Sequence, residues 1–308
     1  MTAFENHAGI TISSSKLQLV EIVFRNGRFY LNNIDEAYFN EPVNFELDKE
    51  TKIAFQIQGA FNEILIKKPL LSRAVSFALP FELFSSFQVP YDNTLLPQDI
   101  EEELRWEFSV LYPFISSNDL AIQYIEVEKN NLTSFNSVIA IAVQRKFIQL
   151  FQNFCSNNNL KLNFIDNIHI ASERALTVNY PQAARGLNLS IYLSSKHISL
   201  LFTLEGKPVW FKVIPLNDAG EIPTVLFEET ASQESFKINR NQISNAFICG
   251  EEVSETIIKA LENVLGLDFI YFNPFDKINP EPKLFDNKYY LENNNAFSPA
   301  AGIALRIA

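Results

Sequence analysis

Alternating apolar and polar residues predict that the chain begins with a β-hairpin or meander. Residues 10–38 are rich in Val, Ile, Phe and Tyr, and the run is interrupted at Asn26-Gly27. Asn-Gly is a strong hairpin signal because both residues tolerate positive φ. The pattern therefore predicts strands that meet at this turn.

The same arrangement occurs twice. Residues 10–27 read as an apolar strand, a turn containing Ser-Ser-Lys at 14–16, and a second strand that ends at a glycine-bearing turn. Residues 191–206 repeat this order, with Ser-Ser-Lys at 194–196. The two segments predict a duplicated hairpin unit.

An amphipathic helix is predicted from residue 97. Pro97 suits the first helical position, and Asp99 with the glutamates at 101–103 complements the positive end of the helix dipole. The apolar positions then recur at helical spacing up to Pro113, at Ile100, Leu104, Phe108 and Leu111.

Shorter runs predict the remaining elements. Strands are predicted at 74–79, 120–128, 138–143, 162–165, 246–249 and 269–272, with three more between 187 and 214. Helices are predicted at 147–155, 170–177, 222–229, 253–265 and 300–306. Residues 50–66 fit either a helix or a strand, and the loop at 179–186 predicts a boundary between two domains.

Composition narrows the possible functions. The 308 residues suffice for about two domains, and 47% hydrophobic content with 28 Phe supplies a core for both. A net charge of −11 argues against a nucleic-acid or anionic-membrane surface. Cys155 and Cys249 lie in apolar contexts and predict buried free thiols. A short polar start and the lack of a long apolar run favour a cytoplasmic protein without direct membrane insertion.

Several motifs in one order resemble PilM-type pilus-assembly proteins, which are relatives of the actin-like division protein FtsA. The most distinctive motif is Leu-Arg-Trp-Glu at 104–107 followed by Leu-Tyr-Pro-Phe at 111–114. The other matching segments are 9–16, 76–80, 139–143, 164–166, 191–202, 248–250, 273–275 and 301–306. The resemblance spans nearly the whole chain.

The resemblance implies an α/β, actin-like (ribonuclease H-like) two-domain fold with an inserted small α+β subdomain and a shortened lid subdomain. The first lobe would comprise residues 1–80 and 166–182. The inserted subdomain would comprise residues 81–165. The second lobe would comprise residues 187–308, with a truncated lid at 215–246.

The nucleotide motifs of that family are altered here. Thr11 and Tyr192 stand where the two metal-orienting Asp residues are expected, and Ser13 and Ser194 replace glycines. Near Gly250, two glutamates would repel a triphosphate. We therefore expect a pseudo-ATPase with no catalytic residues, no metal site and no bound Mg-ATP. The expected vestigial nucleotide pocket comprises Ser13, Ser14, Ser15, Lys16, Ser194, Ser195, Lys196 and Gly250, although plain polar turns are the simpler explanation of the serines and lysines.

Aromatic residues mark a candidate surface for a partner protein. The resemblance implies that the inserted subdomain borders a groove used by another protein, and aromatic anchors suit a short extended peptide. The candidate residues are Phe81, Phe84, Phe87, Trp106, Tyr112 and Phe114. Simple packing is the alternative explanation for these side chains.

The resemblance also implies a role. We expect a cytoplasmic scaffold of a pilus or type II secretion machine, held at the inner membrane by a bitopic partner of the PilN or GspL type. Two alternatives stay open: an ATP binder or weak ATPase, and a self-polymerising actin-like protein, so a homo-oligomer is possible.

Other polar residues predict little chemistry. His7, His169 and His197 have no metal-ligand spacing, and His197 is expected to point outward. The glutamates at 101–103 suit a solvated helix start, and the acidic segment 221–234 suits a solvated surface.

Overall fold

The computed structural model describes residues 6–231 and 240–306, which form two lobes and a smaller inserted subdomain. Strands in these ranges belong to sheets of six, five and three strands. Helices alternate with strands through much of the chain, so the predicted α/β class is confirmed. Among the helices at 6–231 and 240–306, none has the length and hydropathy needed to span a bilayer.

The first lobe is built on the six-stranded sheet. Its strands are β1 (His7–Ile12), β2 (Lys16–Arg25), β3 (Arg28–Tyr38), β4 (Ala74–Leu79), β8 (Lys161–Asn167) and β14 (Asn279–Pro280), in the order β14-β3-β2-β1-β4-β8. The ambiguous segment 50–66 is helix α1 (Glu50–Lys67). It buries Ile53, Ile57 and Ile64 at helical spacing against this sheet.

The second lobe is built on the five-stranded sheet. Its strands are β9 (Leu187–Leu193), β10 (His197–Leu204), β11 (Lys207–Pro215), β12 (Ile243–Gly250) and β13 (Phe269–Tyr271), in the order β11-β10-β9-β12-β13. Its helices are α5 (Ile222–Ala231) and α6 (Glu255–Leu265). Ser254 caps α6, because its side chain accepts a hydrogen bond from the Ile257 N–H.

The predicted duplication is confirmed. Antiparallel pairing places Ile12 opposite Leu17 in the first lobe and Leu193 opposite Ile198 in the second, so both turns span four residues. The second turn of each unit also matches, because Asn26-Gly27 and Glu205-Gly206 all have positive φ.

The inserted subdomain is a three-stranded antiparallel sheet covered on one face by a helix. The strands are β5 (Phe84–Pro90), β6 (Leu120–Val127) and β7 (Ser137–Gln144), in the order β5-β7-β6. Helix α2 (Pro97–Leu111) starts and ends where the sequence predicts and buries Ile100, Leu104 and Phe108.

The boundaries of the units differ from the expected ones. The insert was expected to run over 81–165, but α3 (Arg145–Asn157) and β8 belong to the first lobe. Phe151 and Phe154 of α3 pack on Phe77 of β4, with ring centroids 4.7 and 5.8 Å apart, and β8 pairs with β4. The tail at 279–306 also leaves the second lobe.

That tail crosses to the first lobe through β14 and helix α8. β14 pairs with β3, and α8 (Ser298–Ala304) packs against β1 and against α4 (Ile168–Asn179), which leads towards the second lobe. The short helix α7 (Lys288–Leu291) lies between β14 and α8.

Two other predictions concern the lid and the cysteines. Of the expected lid at 215–246 and acidic segment at 221–234, residues 232–239 lie outside the described residues. Cys155 and Cys249 are buried free thiols, as predicted.

Candidate functional site

The turns of the duplicated units converge on one cleft. The turn between β1 and β2 contributes Ser14, and the turn between β9 and β10 contributes Lys196 and His197, to a cavity of about 240 Å³. The structure therefore brings together the two predicted candidate phosphate loops from opposite lobes.

Both turns are closed by their own hydrogen bonds. The Ser13 N–H donates to the Lys16 carbonyl at 3.0 Å, and the Ser194 N–H donates to the His197 carbonyl at 2.9 Å. The carbonyl of Ser14 accepts from the Val43 N–H at 2.7 Å, and that of Lys196 from the Leu216 N–H, also at 2.7 Å. The segments that follow β3 and β11 thus hold the turns in place.

Gly250 serves the packing of strands. Its φ is +138°, and a Cβ there would lie 2.0 Å from the Leu193 carbonyl oxygen, so only glycine fits. The Gly250 N–H donates to Asn295 Oδ1 at 3.1 Å, and the Glu251 N–H donates to the Leu193 carbonyl at 3.1 Å. These N–H groups are already bonded within the protein.

Lys16 forms an internal ion pair. Its Nζ lies 3.0 Å from Glu36 Oε2, which also accepts from Gln18 Nε2 at 3.0 Å. Burial alone would lower the pKa of the Lys16 ammonium, but the carboxylates of Glu251 and Glu36 outweigh burial and raise this pKa. Burial raises the pKa of Glu251, the Lys16 ammonium opposes this effect, and the carboxylates of Glu36, Glu252 and Glu82 raise the pKa further. The lysine is thus surrounded by acidic groups.

The positions expected for the metal-orienting carboxylates hold neutral, buried side chains. Thr11 donates a hydrogen bond from Oγ1 to the Ala78 carbonyl at 2.9 Å. Tyr192 is buried and packs edge-on against Phe81, with the ring centroids 5.8 Å apart. Phe81 also lies 5.8 Å from the ring of His197 and is only 4% exposed, so its ring fills the space beside the second turn.

His197 does not point outward as expected. Its side chain is 16% exposed, and Nδ1 lies 4.0 Å from Glu82 Oε1, which is too long for a hydrogen bond. Burial lowers the pKa of His197, and although Glu82 opposes the effect, the ring is neutral at pH 7. Among the described residues, no cluster of three or more His, Cys, Asp or Glu side chains has the arrangement of a metal site.

The six aromatic candidates lie in different environments. Phe81 is 4% exposed, so it adds little open surface to Phe84 and Phe87, although it lines one cavity together with Phe84. Phe87 and Tyr112 pack against Phe108 of α2, with ring centroids 4.5 and 5.9 Å away. Trp106 and Phe114 are 63% and 100% exposed, and Phe84 lines two cavities.

The first of these cavities has a volume of about 500 Å³ and adjoins the cleft, with which it shares Glu46, Glu82 and His197. It lies between the insert and both lobes, with Phe84 and Tyr112 on one side and Phe45, Phe147 and Val213 on the others. Glu46, Glu82, Lys146 and His197 add charged and polar groups to this otherwise largely aromatic and aliphatic lining.

The second is a smaller cavity of about 230 Å³, lined mainly by aliphatic side chains, which we call the insert groove. It lies between the face of the three-stranded sheet that α2 leaves open and the strand β8 with helix α4. An ion pair between Arg306 and Asp166 closes one side. The aliphatic lining consists of Ala121, Ile125, Ile139, Ile141, Val143, Ile148, Ile165 and Ile170.

Sequence reasoning did not single out the groove or the acidic groups around Lys16. The alternating pattern along β6 predicted a strand. Apolar residues also occur on the face of β6 that points away from α2, and this was the one sequence signal for a groove. Glu36 lies within β3 and belongs to no recognisable sequence motif. The sequence around it therefore does not identify it as the partner of Lys16.

Solved structures show which fold this is. A chain of the PilM-PilN type IV pilus biogenesis complex is similar over 97% of this chain and 98% of its own length, with a TM-score of 0.75 and 18% sequence identity. A protein of unknown function with an actin-like ATPase fold, from Bacteroides thetaiotaomicron, is similar over 98% of both chains, with a TM-score of 0.56 and 12% identity. No protein-family model matches the sequence, and no curated protein does. The chain therefore has the actin-like fold, in a form that resembles PilM, as the motifs predicted.

Proposed function

We propose that this chain is a cytoplasmic scaffold of a bacterial pilus or secretion machine, which binds a short cytoplasmic segment of a bitopic membrane partner and does not hydrolyse nucleotide. The partner is of the PilN or GspL type and keeps the scaffold peripheral at the inner membrane. The similarity over 97% of the chain to a component of the PilM-PilN complex supports the cellular role by fold analogy.

The observation that carries the proposal is the insert groove. Aliphatic side chains line it, and its volume of about 230 Å³ suits a few apolar anchors of a peptide. β6 and β8 both contribute to its lining, and each is the terminal strand of its sheet among the described residues. An extended peptide can add its backbone to such an edge while its side chains enter the groove.

The residues of the cleft do not fit magnesium-bound ATP. Thr11 and Tyr192 offer no carboxylate to orient metal-bound water, and Phe81 fills the space beside the second turn. The ammonium of Lys16 is paired with Glu36. A triphosphate entering here would meet the carboxylates that surround Lys16, and the repulsion between like charges would make its binding less favourable. These contacts support the loss of nucleotide hydrolysis.

A titration of the intact chain with peptides tests the proposal. Synthetic peptides would carry the N-terminal cytoplasmic segments of bitopic membrane proteins encoded beside this chain. We expect one of them to bind and Ile141→Glu, on the groove wall, to weaken that binding by at least about tenfold, or ~1.4 kcal/mol. Ile66→Glu is the matched control, because Ile66 is 85% exposed on α1, away from the groove.

Other outcomes would contradict the proposal. If Ile141→Glu unfolds the chain, Gln123→Lys on the exposed rim of the groove replaces it. Failure of every peptide to bind the folded chain, or equal binding by the groove and control variants, would count against peptide recognition. A thermal shift with Mg-ATP checks the second part: micromolar affinity at millimolar ATP would raise stability by ~4 kcal/mol, whereas we expect no shift.

A further inference from the structure

Helix α2 carries an exposed apolar face that no described residue covers. Its inner face buries Ile100, Leu104 and Phe108 against the three-stranded sheet. On the outer side of the helix, Trp106 (63%) and Val110 (54%) are more than half exposed, and Phe114 in the turn that follows is fully exposed. Leu111, at the end of the inner stripe, is also 50% exposed. Trp106 and Val110 are one turn apart, so they are neighbours on the helix surface.

Acidic side chains border this face. Glu102 and Glu103 lie one turn before Trp106, and Glu107 lies one turn before Val110 and Leu111. The nearby cation of the helix does not neutralise them, because Arg105 pairs with Glu101 at 2.6 Å and donates to the Ser117 carbonyl at 2.9 Å. The outer face of α2 therefore combines apolar contact area with a negative border.

We propose that the outer face of α2 docks a basic amphipathic segment of a partner protein, with apolar residues against Trp106 and Val110 and with Lys or Arg residues against the glutamates. Exposed contiguous apolar residues with a polar rim are typical of protein interaction sites. Complementary charge at such a rim selects the partner and speeds its association.

The charges also distinguish this occupant from others. A second copy docked through the same face would bring the glutamates of both copies together, and like charges repel. A membrane surface is negatively charged on its cytoplasmic side and would repel the same border.

The identity of the segment rests on the proposed function. Cytoplasmic residues next to a membrane span are enriched in Lys and Arg. For a bitopic partner whose tip occupies the insert groove, the stretch closest to its span has the charge that this face requires. The partner would then be held at two places, which increases its effective concentration at each.

The test uses the fluorescence of Trp106 in the intact chain. Trp210 is the other tryptophan, so Trp210→Phe isolates the signal. The probe is a synthetic helix-forming peptide of Leu and Lys with one apolar face. We expect it to shift Trp106 emission to shorter wavelength, and we expect a peptide with Glu in place of Lys not to bind. Added salt should weaken the interaction because exposed charges are screened.

Charge reversal provides a matched control. Lys replacing Glu102, Glu103 and Glu107 should weaken binding of the Lys peptide by at least about tenfold, or ~1.4 kcal/mol. Lys replacing Glu41, Glu63 and Glu255, which are 71%, 56% and 83% exposed at other sites, gives the same net charge and should leave binding unchanged. Equal weakening by both triple variants would show that net charge alone attracts the peptide and would overturn the proposal.

Two further results would overturn it. A Trp106 shift that grows with protein concentration in the absence of peptide would assign the face to self-association, and a shift with anionic vesicles would assign it to lipid. Because the probe is synthetic and does not require the insert groove, Ile141→Glu should not affect it. A negative result in the Trp106 experiment would therefore not affect the interpretation of the peptide titration of the insert groove. A negative peptide titration would likewise not affect the interpretation of the Trp106 experiment.

Discussion

Gly302 of α8 lies directly against the backbone of Ala171 of α4, so that a Cβ at position 302 would be 1.8 Å from the Ala171 carbonyl oxygen. α8 packs on β1 of the first lobe, and α4 leads from β8 towards β9 of the second. The closeness of these two helices therefore fixes how the chain passes between the lobes.

Gly302→Ala should destabilise the fold, although alanine is the better helix former. The added methyl group has no room unless the backbones of α4 and α8 separate, which we expect to lower the free energy of unfolding by at least about 2 kcal/mol. Gly59→Ala is the matched control, because Gly59 lies within α1 and a Cβ there meets nothing within 4 Å. It should raise stability by roughly 0.5–1 kcal/mol. Urea unfolding of both variants measures the contrast, and equal effects would refute the close crossing.

Phe81→Ala should be strongly destabilising because the ring is packed between Tyr192 and His197 in the cleft. Loss of a buried phenyl group costs about 3–5 kcal/mol. Phe114→Ala, at a fully exposed position, should change stability by less than about 0.5 kcal/mol. Thermal unfolding compares them. A stable Phe81→Ala protein would indicate that the ring leaves the cleft in solution.

Lys16 should contribute to folding through its ion pair. The side chains of Lys16 and Glu36 are 13% and 10% exposed, so removing one partner leaves a poorly solvated charge. Lys16→Met should therefore cost about 3 kcal/mol. Adding Glu36→Gln should recover part of that loss, because the unpaired carboxylate is removed. A double-mutant cycle measures the coupling, and strictly additive effects would argue that the two groups do not interact.

The sequence predicted elements whose signals are local. Pro97 and the spacing of Ile100, Leu104 and Phe108 defined α2, and Asn26-Gly27 defined the first hairpin turn. Each of these signals acts within a few residues, so no knowledge of the tertiary structure was needed.

Other features depend on contacts between distant segments, which periodicity does not encode. Phe81, Phe84 and Phe87 have the same chemistry and regular spacing, yet Phe81 is interior because Tyr192 and His197 of the other lobe pack on it. Lys16 of β2 interacts with Glu36 of β3 and with Glu251, which follows β12 in the other lobe. These three residues come from two different sheets. The residues that line the cleft were therefore predictable only at the two turns, which a sequence motif identified.

Buried ionisable groups on α4 give a prediction about pH. Ser190 Oγ donates a hydrogen bond to Glu173 Oε1, and His169 lies between Ser190 and Ser199, with 2.8 Å from a ring nitrogen to each hydroxyl oxygen. Burial lowers the pKa of His169 to about 3, so this ring is neutral near pH 7. Burial also raises the pKa of Glu173 from 4.5 to about 7.

The raised pKa means that the folded state binds the Glu173 proton more tightly than the unfolded chain does. The contribution of Glu173 to stability is therefore complete below about pH 4.5 and is lost as the pH rises through 7. Glu173→Gln keeps the hydrogen-bond acceptor but removes the ionisation. The variant should match the parent near pH 4, below both pKa values, and exceed its stability at pH 8 by up to ~3 kcal/mol, an upper figure because the side chain keeps 16% exposure. His169 has the opposite pH dependence but is common to both proteins, so the difference in urea midpoint isolates Glu173. A difference that is constant from pH 5 to pH 8 would show that the carboxyl group titrates normally in the folded protein.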